Sequence, residues 1–346
     1  MDHIVIRRIT ADEIHNSLRK TRKPRCGWDD EKMKKKLLML LLALLLGGCA
    51  FDTAQQEIPA ESTEPAASTS VAVPEEETTQ TAETEQPATE ATVLHIVQPE
   101  PENEDFVPVR AYIPDIAVEL PYASAHNFTG QKIYDFGEVW LRYGTVKKLA
   151  LVQAALREQG LCLKIWDGFR PPAAQFRLWT VCPDPTYVSD PNRGFSSHSR
   201  GNTVDITLVD PDGRELTMPT GFDDFTERAD RDYSDCSPEA AANALLLEQV
   251  MLKYGFQPYA GEWWHYSDQQ QYPVEQVFTP VEAAWYYADC KEYISLRVKP
   301  DVSGDVITTI PAAEQLRVVA LHGDFALVAY QGLYGYVLQG YICPVE

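Results

Sequence analysis

The chain of 346 residues carries 51 acidic against 30 basic side chains, a net charge of −21. That balance excludes nucleic-acid binding through a basic surface, and the length is enough for more than one buried core. Much of the acid excess is local, because Ala50 to Asp105 contains no Lys or Arg and is dominated by Glu, Thr, Ala, Ser, Pro and Gln.

In chain order, residues 1–48 read as a leader. Lys34-Lys35-Lys36, then the apolar run Leu37 to Leu46, then Gly47-Gly48-Cys49 is the pattern of a secretory signal peptide, too short for a typical spanning helix. Leu46-Gly47-Gly48-Cys49 resembles a bacterial lipobox, which implies lipidation of Cys49 and an exported chain anchored to the cell membrane, facing the wall. Residues Met1 to Lys32 are unusual ahead of such a signal, and Met33 begins a more typical leader. Residues 49–105 cannot bury enough apolar surface to offset their ordering entropy, so the composition predicts a disordered, charge-extended tether.

A catalytic region is expected over 106–280. Val146, Leu149, Val152, Ala155 and Leu156 recur at helical spacing ahead of Gly160. Leu161 to Trp166 has strand length, Asp167-Gly168 is a turn signal, and Pro171-Pro172 suits the start of a helix through Ala173, Ala174, Phe176 and Leu178. Ser237-Pro238-Glu239 offers an N-cap and an N1 proline for a helix through Leu245, Leu246, Val250 and Leu252 to Gly255. With short strands around Leu163, Val204 and Trp263, helices segregated from an antiparallel sheet give an α+β fold.

Two patches carry the chemistry: Ser197-His198-Ser199-Arg200-Gly201-Asn202-Thr203-Val204-Asp205 and Glu262-Trp263-Trp264-His265. Catalytic zinc takes three N/O protein ligands and leaves a position for water, whose pKa falls to about 7. His198, Asp205 and His265 are the candidate ligands, and Glu262 the general base. Arg170, at a strand-to-helix junction, is placed to stabilise an oxyanion; its plainer reading is an Arg paired with Asp167. Glu262 and His265 pose a difficulty, since residues three apart on a strand point to opposite faces. The strand is therefore expected to end or bend between them.

Together with Tyr122-Ala-Ser, Asn127-Phe-Thr-Gly, Trp166-Asp-Gly-Phe-Arg-Pro, Ser196-Ser-His-Ser-Arg-Gly, Asp205-Ile-Thr-Leu and Phe222-Asp223, these patches resemble the VanX-type D-alanyl-D-alanine dipeptidases. These are zinc peptidases whose branch also contains D,D-carboxypeptidases. The resemblance spans about Tyr122 to Val274 and implies one Zn²⁺ on His198, Asp205 and His265, with Glu262 as base and Arg170 as transition-state partner. It further implies Ser196 as a contact for the substrate carboxylate, Asp223 as the anchor for its ammonium group, and Tyr122 as a pocket aromatic. A second family tyrosine falls near Phe136, with Tyr134 as a substitute.

Residues 285–346 read as a separate module of short strands between Pro, Gly and Asp turns, the pattern of a small β-barrel. Ser295-Leu-Arg-Val-Lys-Pro and Gly335-Tyr-Val resemble bacterial SH3-like domains, which implies possible contact with peptidoglycan. Of seven cysteines none has Cys-x-x-Cys spacing, which argues against a thiolate metal site. Cys290 with Cys343, and more weakly Cys182 with Cys236, are candidate disulfides; Cys162 is expected as a buried apolar residue. The expectation is an exported, lipid-anchored zinc hydrolase acting on D-Ala-D-Ala. Its alternatives are a D,D-carboxypeptidase on longer stem peptides and a catalytically silent wall-binding lipoprotein.

Overall fold

The structure, a computed structural model, describes residues 97–345. The leader, Cys26, Met33, Cys49 and the tether up to residue 96 lie outside the described residues. Among the described residues no helix is long and apolar enough to cross a membrane.

The chain begins with strand β1 (Phe106–Pro108), a helical turn at Val109–Tyr112, β2 (Ala117–Val118) and β3 (Trp140–Arg142). Helix α1 (Tyr143–Arg157), β4 (Cys162–Asp167) and α2 (Pro172–Val181) come next. They are followed by β5 (Thr203–Val209), α3 (Pro238–Lys253), β6 (Phe256–Tyr259) and β7 (Glu262–Asp268). The catalytic sheet has the order β2-β4-β5-β7-β6. All its pairings are antiparallel except β2 with β4, an edge pairing that is parallel. The expected α+β fold is thus present, with that one strand reversed.

Helix α1 buries Val146, Leu149, Val152 and Leu156 on one face. Just past its end the chain turns at Gly160, whose φ of +71° is a conformation glycine adopts without strain. In α3, Ser237 caps the N-terminus by accepting from the Ala240 amide, and Pro238 takes the first position. The helix runs as expected, with Ala244, Leu247, Val250 and Met251 buried and Leu245 and Leu252 exposed. Leucines on several sides of α3 left its phase open in the sequence. The sheet and both long helices share one core that includes Leu163, Ile206, Trp263 and Trp264.

The C-terminal sheet comprises β8 (Phe278–Ala288), β9 (Tyr293–Arg297), β10 (Val306–Pro311), β11 (Gln315–His322), β12 (Phe325–Tyr330), β13 (Leu333–Leu338) and β14 (Ile342–Pro344). Its order is β10-β9-β13-β12-β11-β8-β14, antiparallel throughout. Strands β8 to β13 all contribute to a single buried core, and Ile342 of β14 packs against it, so the sheet curls around that core as an SH3-like module. The sheet starts at Phe278, ahead of the expected boundary at 285, because β8 pairs along its length with β11.

The tether expected to reach 105 is also shorter. Gln98 exchanges hydrogen bonds with the backbone of Tyr334 (3.1 and 2.7 Å). The carbonyls of Glu104 and Asp105 accept from Arg142 Nη1 and the Tyr143 amide. Folded partners satisfy this stretch despite its polar composition. Cys162, Cys182, Cys236, Cys290 and Cys343 are free thiols, so neither suggested disulfide is formed, and Cys162 is half-buried rather than buried.

Candidate metal centre and peptidase site

The register of the sheet assembles the site. Asp205 on β5 lies directly opposite His265 on β7 and, on its other side, opposite Asp167 on β4. His198 comes from the 3-10 turn Ser197–Arg200, capped by Ser196, whose Oγ accepts from the His198 amide at 3.4 Å. Gly201 closes this turn at φ +76°.

His198, Asp205 and His265 offer ligand atoms that all lie within 4.8 Å of one another. His198 Nε2 is 3.4 Å from both His265 Nδ1 and Asp205 Oδ2. The tautomer of His198 follows from its other nitrogen, which lies 2.9 Å from the Gly168 carbonyl. A carbonyl only accepts, so Nδ1 carries the proton and Nε2 turns a lone pair toward the cluster. Asp205 Oδ1 is buried and makes no hydrogen bond, although His265 Nδ1 is 3.0 Å away. A carboxylate set between two imidazole nitrogens, with one of its oxygens orphaned, fits a cation.

The electrostatics agree. Burial opposes the charge on Asp205, but His198 and His265 hold its carboxyl well below the usual carboxylate range. Burial likewise opposes charge on His265, yet the Asp205 and Glu262 carboxylates beside it raise it to about 9. The pocket attracts positive charge.

Glu262 Oε2 lies 3.4 Å from His265 Nδ1, which resolves the strand difficulty. Between β6 and β7, Pro258 faces Tyr266 and Tyr259 faces Glu262, so Trp263 to His265 form an extra bulged stretch on β7. The bulge turns Glu262 to the same side as His265. Sequence reasoning overlooked Arg231, which holds this bulge. Its Nε donates to the Tyr259 carbonyl (2.7 Å), and its Nη2 donates to those of Glu262 (2.9 Å) and His265 (3.0 Å). Glu248 Oε2 and Tyr266 Oη accept from its Nη1. Its position outside every motif gave no signal.

Arg170 is buried and does pair with Asp167, at 2.5 Å from Nη2 to Oδ2. Nε also donates to Asp167 and Tyr134, and Nη1 to Gln175. Of its five N–H groups, one on Nη1 and one on Nη2 stay uncommitted. Asp167 also accepts from Tyr134 Oη (2.6 Å) and the Gly168 amide (2.8 Å), and it lies 3.7 Å from His198 Nδ1. Tyr134 therefore brings a hydroxyl to the network, with Phe136 stacked on its ring at 4.7 Å.

Tyr122 is buried and its hydroxyl donates to Asp223 Oδ2 at 2.8 Å. Its ring lies 5.3 Å from the Arg170 guanidinium carbon, which connects the two groups. Asp223 adopts φ +57°, a strained left-handed conformation of the kind kept at functional sites. Burial raises its carboxyl to about 8, against the lowering effect of the Tyr122 bond. It borders a cavity of about 230 Å³ shared with Trp166, Phe222, Asn127 and Phe128. Ser196 stays half-buried at the mouth of the His198 turn.

Comparison with known proteins agrees with this geometry. Residues 102–284 match the M15 peptidase family described as D-ala-D-ala dipeptidase, and residues 292–342 match the bacterial SH3 domain. A D-alanyl-D-alanine dipeptidase of Escherichia coli K12 is 40% identical over 49% of this chain and 89% of its own. One of Enterococcus faecium is 32% identical, over 47% and 92%. One of Enterococcus faecalis is 36% identical, over 43% and 84%. Among solved structures, VanYB in complex with D-Alanine-D-Alanine aligns over 40% of this chain and 79% of that one. At 17% identity and a TM-score of 0.26 that likeness is too slight to bear on function. With the family match covering more than half its length, the chain belongs to the M15 peptidases of D-ala-D-ala dipeptidase type and carries a bacterial SH3 domain at its C-terminal end.

Proposed function

We propose that this protein is a zinc-dependent D-alanyl-D-alanine dipeptidase, exported and held at the cell membrane through lipid on Cys49, facing the cell wall. The observation that carries the reading is the convergence of His198, Asp205 and His265, with the orphaned Asp205 Oδ1 among them and Glu262 beside them. Those three residues would hold Zn²⁺, which supplies Lewis acidity toward the peptide carbonyl and lowers the pKa of the attacking water.

The chain's own residues do the rest. Glu262 Oε2 takes the proton from the attacking water and delivers it to the nitrogen of the leaving D-alanine. The free N–H groups of Arg170 stabilise the negative charge that develops on the carbonyl oxygen, and burial of the guanidinium strengthens that interaction. Asp167 keeps Arg170 in place and, through Gly168, supports the orientation of His198. Asp223, steadied by Tyr122, receives the substrate ammonium. That ammonium stabilises the carboxylate form, which burial otherwise disfavours. Ser196 meets the substrate carboxylate.

Metal analysis of single variants tests the roles. His198→Ala and His265→Ala are expected to lose zinc and activity together, since a three-ligand site cannot spare one. Glu262→Ala is expected to keep zinc and lose turnover. Metal-free Glu262→Ala protein would contradict its assignment as base.

A further inference from the structure

Aromatic side chains join the SH3-like sheet to the two backbone segments that hold the site. Phe278, on the first strand of that sheet and opposite His322, stacks on Phe106 with centroids 4.6 Å apart and planes at 2°. Phe106 lies 4.4 Å from Phe169, and Phe169 lies 6.0 Å from Phe278. Ala320 and Leu327 of the SH3-like sheet complete this buried cluster.

Phe169 sits between Gly168, whose carbonyl fixes His198, and Arg170. Phe106 also backs the ligand turn, because a Cβ on Gly201 would fall 2.4 Å from its ring. With the ring in that place and φ at +76°, the turn fits only glycine at 201. A polar link runs in parallel. The Glu275 amide donates to the Ser199 carbonyl (2.9 Å), and its Oε1 accepts from the Phe278 amide (3.0 Å). Its Oε2 accepts from Arg142, which donates in turn to the Arg200 carbonyl and lies 4.1 Å over the Phe106 ring.

We propose that the C-terminal SH3-like module is a positioning element of the peptidase site. It acts through Phe278 and Leu327, with Glu275 in the connection just ahead of the sheet, on the Gly168–Arg170 loop and the Ser197–Gly201 turn. A module that merely hangs from the catalytic unit needs no common core with it, whereas here one aromatic cluster belongs to both. Rigid aromatic contacts of this kind transmit displacement rather than absorb it. Catalytic groups tolerate errors of only about 0.5 Å.

The proposal rests on the peptidase reading, and the test keeps the two apart. Phe278→Leu and Leu327→Ala are made in the full chain, with Trp285→Ala, a residue 55% exposed on the same sheet, as control. For the first two, kcat on D-Ala-D-Ala is expected to fall about ten-fold while KM stays within about two-fold. Amide hydrogen exchange should quicken at Phe169, Arg170 and Gly201, which bond the carbonyls of Trp140, His198 and His198. Trp285→Ala should match the parent protein in both measurements. If Phe278→Leu does not fold, Leu327→Ala carries the comparison. Variants that disturb exchange only within 278–345, leaving kcat and those three amides unchanged, would overturn the proposal. The exchange measurement needs no substrate, so a parent protein inactive on D-Ala-D-Ala would sink the peptidase reading while positioning is still decided.

Discussion

Arg231 offers the sharpest test of how the site is built. Its guanidinium donates to three carbonyls of the bulged hairpin and pairs with Glu248, and its side chain is only 12% exposed. Arg231→Ala leaves Glu248 without its cationic partner, with only the Tyr233 hydroxyl still donating to it, and removes the Arg231 donor from three carbonyls. Breaking a buried pair from one side costs about 3–5 kcal/mol, and partial access of water to Glu248 places this case near the lower figure. For a domain of this size each kcal/mol moves Tm by roughly 2–4 °C, so a drop of roughly 6–12 °C is expected.

Arg231→Lys keeps the charge but cannot span three acceptors with one planar fork. Its Tm should fall less, while the bulge relaxes and Glu262 shifts relative to His265. A misplacement of about 1 Å costs on the order of 100-fold, so kcat should fall between about 10- and 100-fold with zinc still bound. Thermal melts and D-alanine release, measured well below the lower Tm, read the two effects separately. Arg231→Lys with unaltered kcat would refute the claim that this residue sets the base.

Two further outcomes follow from particular residues. Cys49→Ser should move the protein from the membrane to the soluble fraction, since one residue carries the lipid and the polar tether has no membrane affinity of its own; unchanged retention would indicate an uncleaved anchor. Asp223 has a folded pKa of about 8 against an ordinary 3.8, so without substrate the fold favours its protonated form. That contribution is fully present below about pH 4 and is lost as pH rises through about 8. Relative to the parent protein, Asp223→Asn should therefore gain in Tm steadily between those limits, and a pH-independent difference would contradict the burial of this carboxyl.

Much of the fold and the site was legible because local chemistry and tertiary need coincide. Ser237-Pro238 caps and starts a helix wherever it sits, and His198, Asp205 and Glu262-Trp-Trp-His265 fall within short motifs. The bend between Glu262 and His265 was foreseeable, because no straight strand presents both to one point. The device that holds the bend was not, since Arg231 is distant in sequence and its partners are backbone carbonyls that carry no residue signature. The Phe106–Phe169–Phe278 cluster escaped for the same reason: three ordinary phenylalanines spread over more than half of the described chain. Residues 97–105 look like tether by composition, yet backbone pairing with folded partners orders them.

The central claim is most directly tested by comparing kcat/KM for free D-Ala-D-Ala and for N-acetyl-D-Ala-D-Ala on the zinc-loaded protein. Asp223, held among the described residues only by the Tyr122 hydroxyl, rewards a charged ammonium, whereas an acetylated amine offers it no opposite charge and forfeits that ion pair, a loss of about 3 kcal/mol. The free dipeptide is therefore expected to be cleaved at least about 100-fold more efficiently, as a loss of roughly 3 kcal/mol implies. Equal or faster cleavage of the acetylated peptide would contradict the dipeptidase account and assign the protein to carboxypeptidase action on longer stem peptides.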